Sequence, residues 1–529
     1  MDDIAPPWWK TAVFYQIYPR SFADGNGDGV GDLAGIAERL DHLVDLGVDA
    51  VWLSPFYESP MRDFGYDVSD HCAVDPVFGT LDDFDRVVDG LHERGLKLIV
   101  DFVPNHVSSD HAWFVEARAS RDSEKRGWFI WADPVAGDDG DRRPPTNWTA
   151  SFTDGGSTWE WDEATEQYYL HLFLPEQPDV NWADPDLEAA QHDVLRFWLD
   201  RGVDGFRMDV LNAIGKDPEP RDVPESIIGI PHVVLVHHET AMPLIRRIRQ
   251  TVDEVGDTFI IGEIVTGDIE VQASYQGGLD QAASDGVHCS VNFASVWAPW
   301  ERDAWRRLIT ETEEAYPHGG PRWPSYVLSN HDNPRHRTRY GGDEAEARAR
   351  AAAVLLLTLR GTPFLYAGEE LGLEDAEVAP ERVVDPGGRD GCRAPIPWTG
   401  GDGHGWGPDA WLPFPPDVGI RNVAAQKEGD DSMFRLYRNV LAARHASPAL
   451  RHGSLELLDE HPEVLSYRRI VPGPGDDDDG ADVRIVHVNF SDDAVHVQTT
   501  GAVAVTSEGA LSGTFDGLLP AGAAVVIRP

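Results

Sequence analysis

Acidic side chains stand where four apolar runs end: Asp101 in DFVPNH, Asp209 in GFRMDVLN, Glu263 in IGEIV and Asp332 in SNHDNPR. Basic and imidazole groups keep them company, with His106 after Asp101, Arg207 two residues before Asp209, and His331 immediately before Asp332. An acid at one strand end is usually a structural hydrogen-bonder. Asp209, Glu263 and Asp332 lie 54 and 69 residues apart, yet a fold that brings strand ends to one mouth would gather all three. Unpaired charges in a crowded pocket are costly, so such a gathering needs a chemical reason. Cleavage of a glycosidic bond supplies one: a carboxylate nucleophile, a protonated carboxyl acid, and an oxocarbenium-like transition state that negative charge stabilises.

The elements that must carry these groups are legible as short β-branched or aromatic runs: Val13–Ile17, Ala50–Leu53, Lys97–Phe102, Val203–Met208, Phe259–Gly262, Val291–Phe293, Tyr326–Leu328 and Phe364–Tyr366. Amphipathic stretches separate them, such as 32–46 with Leu33, Ile36, Leu40, Leu43 and Leu46 at helical intervals. Eight strands alternating with helices predict an α/β fold, a closed (β/α)8 TIM barrel with its chemistry at the C-terminal strand ends. Residues 105–181, after the third strand, are rich in Trp, Asp, Pro and Gly and read as an inserted subdomain. After residue 453 the pattern becomes RIVHVNF, AVHVQTT, AVAVTSEG and AAVVIRP, which predicts a C-terminal all-β domain. The expected division is therefore a barrel of 1–104 and 182–452, an insertion of 105–181, and a β-sandwich of 453–529. The run Asp476–Asp479 reads as an exposed acidic turn.

The bulk numbers narrow the partners. A formal charge of −47 over 529 residues repels nucleic acid and anionic membranes. An acid-dense, lysine-poor surface is a device for solubility in salt, and a GC-rich genome that swaps Lys for Arg produces the same bias; the sequence leaves both open. Three scattered cysteines form neither a disulfide framework nor a ligand cluster. The start MDDIAPPWWK has no signal-peptide pattern, and no apolar run is long enough to span a bilayer. A cytoplasmic protein, monomer or homodimer, is the expectation.

Nine segments carry a family resemblance: VFYQIYPRSF, GVDAVWLSPFYESP, FGYDVSD, DFVPNH, QPDVNW, GFRMDVLN, GEI, SNHDNPR and GTPFLYAGEELG, in that order along essentially the whole chain. The sequence resembles glycoside hydrolase family 13, the α-amylase family, and particularly its α-glucosidase and oligo-1,6-glucosidase branch. The resemblance implies that Asp209 is the nucleophile, Glu263 the acid and base, and Asp332 the stabiliser of the distorted ring. It also implies that Tyr66 stacks under the sugar, that His106 and His331 donate to its hydroxyls, and that Asp67 and Arg389 grip the non-reducing end, with Arg393 as the alternative to Arg389. Physically, Arg207 should keep Asp209 ionised, and aliphatic Ile264 and Val265 should raise Glu263 by desolvation. The outcome expected is retention, with the Asp209 and Glu263 carboxyls roughly 5–5.5 Å apart. Terminal glucose of maltose, isomaltose, sucrose or a related oligosaccharide is the implied substrate. Val210, after the nucleophile, matches the 1,6-type and GRDGCRAPIPW the 1,4-type, so the linkage stays open. Transglucosylation or sucrose isomerisation on the same apparatus is the alternative.

One further motif, DGNGDGVGD, sets Asp24, Asn26, Asp28, Val30 and Asp32 at positions 1, 3, 5, 7 and 9 of an EF-hand-like loop, with Gly29 at the sharp turn. Position 12 is Gly35, so the bidentate Glu of a calcium switch is missing. The loop resembles the divalent-cation site of this glucosidase branch, which implies a structural Ca2+ or Mg2+, with Val30 binding through its carbonyl.

Overall fold

The apolar runs form eight short, almost wholly buried strands: β1 (Phe14–Ile17), β2 (Ala50–Leu53), β3 (Lys97–Phe102), β4 (Gly205–Met208), β5 (Phe259–Gly262), β6 (Cys289–Ser290), β7 (Ser325–Val327) and β8 (Thr362–Tyr366). The structure is a computed structural model that describes residues 6–137, 141–216, 221–227, 239–277, 284–407, 409–473, 480–509 and 513–529. The acidic run at 476–479 lies outside the described residues. Parallel ladders join β1 through β6 in chain order, and β8 pairs with both β1 and β7. Among the described residues no ladder joins β6 to β7. Side chains bridge that seam instead: Ser325 Oγ donates to Ser290 O at 2.7 Å, and Val327 N donates to Ser295 Oγ at 3.1 Å. The sheet is thus the expected (β/α)8 barrel.

Alternation along the strands divides two cores. Phe14, Trp52, Ile99, Ile261 and Phe364 fill the barrel interior, while Val51, Val100, Phe206, Met208 and Ile260 belong to the layer under the helices. Asp101 and Arg207 share the inward parity of Ile99 and are paired in register across β3 and β4. The strand pattern therefore aims both charges at the axis.

Local differences have local causes. The stretch 32–46 is two helices, α1 (Leu33–Glu38) and α2 (Leu40–Leu46), because Arg39 leaves helical geometry (φ −111°, ψ 7°) with its guanidinium 4.7 Å from the Trp398 ring. Val291–Phe293 is not a strand. Its Asn292 side chain accepts from Ser295 N at 3.2 Å and caps a helical turn, so the sixth strand ends at Ser290. Residues 105–181 contribute a small antiparallel sheet (Trp131–Ala132, Trp159–Asp162, Gln167–Leu170), whose Trp159 and Leu170, with Phe173 just beyond the last strand, share an apolar cluster with Val210 and Ala213. At the C-terminal end, β9 (Ser454–His461), β10 (Val464–Val471), β11 (Asp482–Asn489), β12 (Gly501–Thr506), β13 (Thr514–Phe515) and β14 (Ala524–Arg528) form an antiparallel sheet in the order 9-10-11-14-12-13. Of AVHVQTT only Val495–His496 is extended. No helix among the described residues is long and apolar enough to cross a membrane.

Burial of histidines gives the fold a pH signature. Burial lowers His71, His106 and His487 to about 4 and His288 and His331 to about 3. The unfolded chain binds those protons near 6.5, so between pH 6.5 and 4 it is the better proton acceptor, and stability falls as pH falls. Each such histidine contributes a slope of about 1.4 kcal/mol per pH unit. Asp101, pushed up to about 6 by burial, and Asp209, also raised, work the other way. The histidine contribution is read one ring at a time: His288→Gln should flatten the fall of Tm between pH 7 and pH 5 relative to wild type, and an unchanged slope contradicts the neutral burial of that ring.

Candidate active site

Strand termini deliver the predicted acids to one place. Arg207, fully buried in β4, donates from Nη1 to Asp101 Oδ1 (2.5 Å) and Asp209 Oδ1 (2.6 Å), while its Nη2 lies 2.6 Å from Glu263 Oε2. Trp52 Nε1 steadies the far oxygen of Asp101 at 2.7 Å. The chain after β4 turns sharply: Val210 takes a left-handed conformation (φ 39°, ψ 45°), which costs a β-branched residue on the order of 1–3 kcal/mol. That turn aims the Val210 N–H at Glu263 Oε2, 3.0 Å away. A planar guanidinium and one strained amide thus hold the Asp209 and Glu263 carboxyls facing each other.

The electrostatics correct one expectation. Arg207 does not hold Asp209 ionised by itself, because the cation is shared among three carboxyls. Burial, with Glu263 and Asp101 adding to it, pushes Asp209 well above the ordinary carboxylate range against the pull of Arg207. Burial and the neighbouring carboxyls thus disfavour full ionisation of the cluster, which is the direction an acid–nucleophile pair requires. Asp332 is the opposite case: burial opposes its ionisation, but His331, Arg389, Arg393 and Arg207 outweigh it and hold the carboxyl well below its usual range.

Around this cluster a cavity of about 380 Å3 opens at the strand ends, lined by Asp63, Tyr66, His106, Asp209, Glu263, Asp332 and Arg389 on its polar side and by Phe152, Phe173, Val210, Phe293 and Trp297 on its apolar side. The volume suits a small ligand. The Tyr66 hydroxyl lies 2.6 Å from His331 Nε2, and Gln16 Nε2 donates to His331 Nδ1 at 2.7 Å. That amide fixes the ring proton on Nε2, beside Asp332 Oδ2 at 3.1 Å. His106 is held between Asn105 (3.0 Å) and Gln177 (3.1 Å).

The Asp67–Arg389 pair does not form. Asp67 is fully buried and accepts from Ser59 Oγ (2.8 Å), Asp63 N (3.0 Å) and Arg62 N (3.0 Å), so it pins the turn at 59–63. The carboxylate that meets Arg389 is Asp63, at 2.6 Å. Two aspartates flank the FGY core of the motif, and nothing in their spacing says which one faces the cavity. Arg389 is the cavity-lining arginine, while Arg393 is fully buried behind it, with Nε donating to His331 O at 2.7 Å. Sequence reading also passed over Gln16, Phe152, Trp297 and Asp385, none of which stands in a recognisable acid–base pattern.

The glycine-rich loop folds on itself through its own oxygens: Asp24 accepts from Gly27 N (2.6 Å), Gly29 N (2.8 Å) and Gly407 N (3.0 Å), Asn26 from Asp28 N (2.8 Å), Asp28 from Val30 N (2.9 Å), and Asp32 from Gly35 N (2.6 Å). Among the described residues no three Asp, Glu, His or Cys side chains are gathered as a metal cluster. The donor set is all oxygen, and the Val30 carbonyl carries no hydrogen bond within the described residues, so the chemistry fits a hard cation held by few carboxylates and by water.

Comparison with known proteins agrees with this geometry. The family profile described as alpha amylase, catalytic domain, matches residues 16–453. The chain is 41% identical over 495 residues to a probable alpha-glucosidase of Rhizobium meliloti (strain 1021), covering 87% of each chain. It is 36% identical over 510 residues to an oligo-1,6-glucosidase of Heyndrickxia coagulans, covering 87% of this chain and 90% of that one. It also superimposes on the crystal structure of XgtA, an alpha-glucosyl transfer enzyme, with TM-score 0.86 and 39% identity over 99% of this chain and 100% of the other.

Proposed function

Because the chain belongs to the alpha-amylase family of glycoside hydrolases, in its α-glucosidase branch, we propose that it releases terminal α-linked glucose from short oligosaccharides by double displacement. The observation that supports this most directly is the meeting of three strand-end carboxyls in one cavity that is also lined by the Arg389–Asp63 ion pair. In this reading the charged pair blocks the cavity beyond one sugar, so that a chain terminus enters and a chain interior does not.

The steps follow from the groups in place. A glucosyl unit lies over Tyr66, with His106, His331 and Asp332 at its hydroxyls. An Asp209 oxygen attacks the anomeric carbon as the glycosidic bond breaks. Glu263 gives its proton to the departing oxygen, through Oε1, because Oε2 is occupied by Arg207 and the Val210 N–H. Asp332 and the surrounding net negative charge stabilise the positive ring. Glu263, now a carboxylate, removes a proton from water, whose oxygen displaces Asp209 from the sugar. Two inversions give retention, so the first glucose released should be the α-anomer. Polarimetry or NMR of the initial product checks this, and β-glucose appearing first contradicts it.

A sugar hydroxyl in place of that water gives transfer rather than hydrolysis, and the likeness to a glucosyl transfer enzyme favours testing for it. Free glucose measured against new oligosaccharides from concentrated maltose separates the two. Initial rates on maltose, isomaltose, sucrose, trehalose and soluble starch rank the linkages.

We further propose that the loop of Asp24, Asn26, Asp28, Val30 and Asp32 binds a structural Ca2+ or Mg2+. Such an ion stabilises only the folded state, so EDTA should lower Tm, and either ion added back should restore it. An unchanged melting curve counts against the site.

A further inference from the structure

Behind the cavity, a carboxylate that does not line it organises Arg389, which does, and Arg393, which is buried behind Arg389. Asp385 is fully buried. Its Oδ1 accepts from Arg389 Nη2 (2.6 Å) and Arg393 Nη1 (3.1 Å), and its Oδ2 from Arg389 Nε (2.9 Å) and the Arg389 backbone N–H (2.8 Å). Asp390 fixes this stretch in turn, accepting from Val384 N (2.8 Å) and Asp385 N (3.2 Å). On the other side, Asp332 Oδ1 accepts from the same two arginines, Arg389 Nη1 at 2.8 Å and Arg393 Nη2 at 3.1 Å. The four side chains close a ring: Asp385, Arg389, Asp332, Arg393. Asp332, a quarter exposed, is the end that meets the cavity, and Asp385 is the anchor.

Bidentate guanidinium–carboxylate pairs fix angle as well as distance, so Asp385 sets the plane of Arg389. With Nε and one Nη2 hydrogen engaged on Asp385, Arg389 has the second Nη2 hydrogen for Asp63 and Nη1 for Asp332. Phe152, its ring 4.8 Å from the guanidinium, closes the open face. The charge count matters as much as the angle: Asp63, Asp332 and Asp385 against Arg389 and Arg393 leave one net negative charge beside the ring that turns positive in the transition state. Without Asp385 the two cations have only Asp63 and Asp332 to neutralise, and that surplus disappears.

We propose that Asp385 is a positioning residue for both exo-selectivity and transition-state stabilisation, acting through Arg389 and Arg393. This rests on the exo-glucosidase reading above.

The test is Asp385→Asn, near-isosteric but uncharged, assayed on maltose with rates normalised to the folded fraction from circular dichroism. The expected result is a kcat about 100-fold lower with KM changed less than 5-fold, since binding contacts remain while the charge stabilising the transition state falls. Asp385→Glu, which keeps the charge, should recover at least part of kcat. Asp385→Asn combined with Arg393→Met should lose far less than the product of the single effects. A folded Asp385→Asn that keeps wild-type kcat and KM overturns the proposal. So does a full multiplication of the two single losses, or a change in Tm alone. The wild-type enzyme assayed on maltooligosaccharides blocked at the non-reducing end tests the parent reading separately: cleavage there refutes exo action, whatever the Asp385 variants do.

Discussion

Replacing Asp209 by Asn should abolish turnover, a loss on the order of 10⁴- to 10⁶-fold as found when a hydrolase loses its nucleophile, with the fold preserved. The amide occupies the same volume at the end of β4 and can still accept from Arg207 Nη1, but its oxygen is too poor a nucleophile to form an ester. The stability result is the more discriminating half. Asp209 is buried with Glu263 and Asp101 against one guanidinium, and its ionised form is disfavoured in the folded state. A group with a raised acid pKa weakens the fold at every pH above its unfolded value. Its neutral replacement should therefore leave Tm unchanged or raise it at pH 7. Wild-type turnover in this variant would remove Asp209 from the mechanism. Inactivity with a much lower Tm would show only that the site had collapsed.

The second large effect belongs to Glu263. Glu263→Gln should cost about 10²- to 10⁴-fold on disaccharides, the usual worth of a general acid. The loss should be far smaller in the glucosylation step when the leaving group is p-nitrophenolate, which departs without a proton. Glucosyl-enzyme should then accumulate, because the water that completes the cycle no longer has a base, and a burst of p-nitrophenol equal to the enzyme concentration would report it. Equal losses on both substrate types, with no burst, would make Glu263 a structural neighbour of Arg207 and not the proton carrier.

Much of this architecture is legible in the sequence because its signals are local. β-Branched and aromatic runs spaced by amphipathic stretches specify strands, helices and their alternation, and acids placed at strand ends must reach a barrel mouth. The misreadings arose where a short-range device competed with the pattern: an Asn292 cap converted VNF into a helix start, and Arg39 broke a continuous helical repeat.

What the sequence by itself determined is which chemistry is on offer: the barrel, the acids Asp209, Glu263 and Asp332, and the arginine and histidines beside them. What only the tertiary structure decided is who touches whom: Asp63 and not Asp67 on Arg389, one arginine divided among three carboxyls, and Asp385 holding two arginines from behind. The physical reason is range. Strand and helix patterns are set by neighbours a few residues away, whereas a charged contact depends on the direction of a side chain at the end of a loop. The partner can stand hundreds of residues off, as Asp63 and Arg389 do, and only folding brings the two within hydrogen-bond distance.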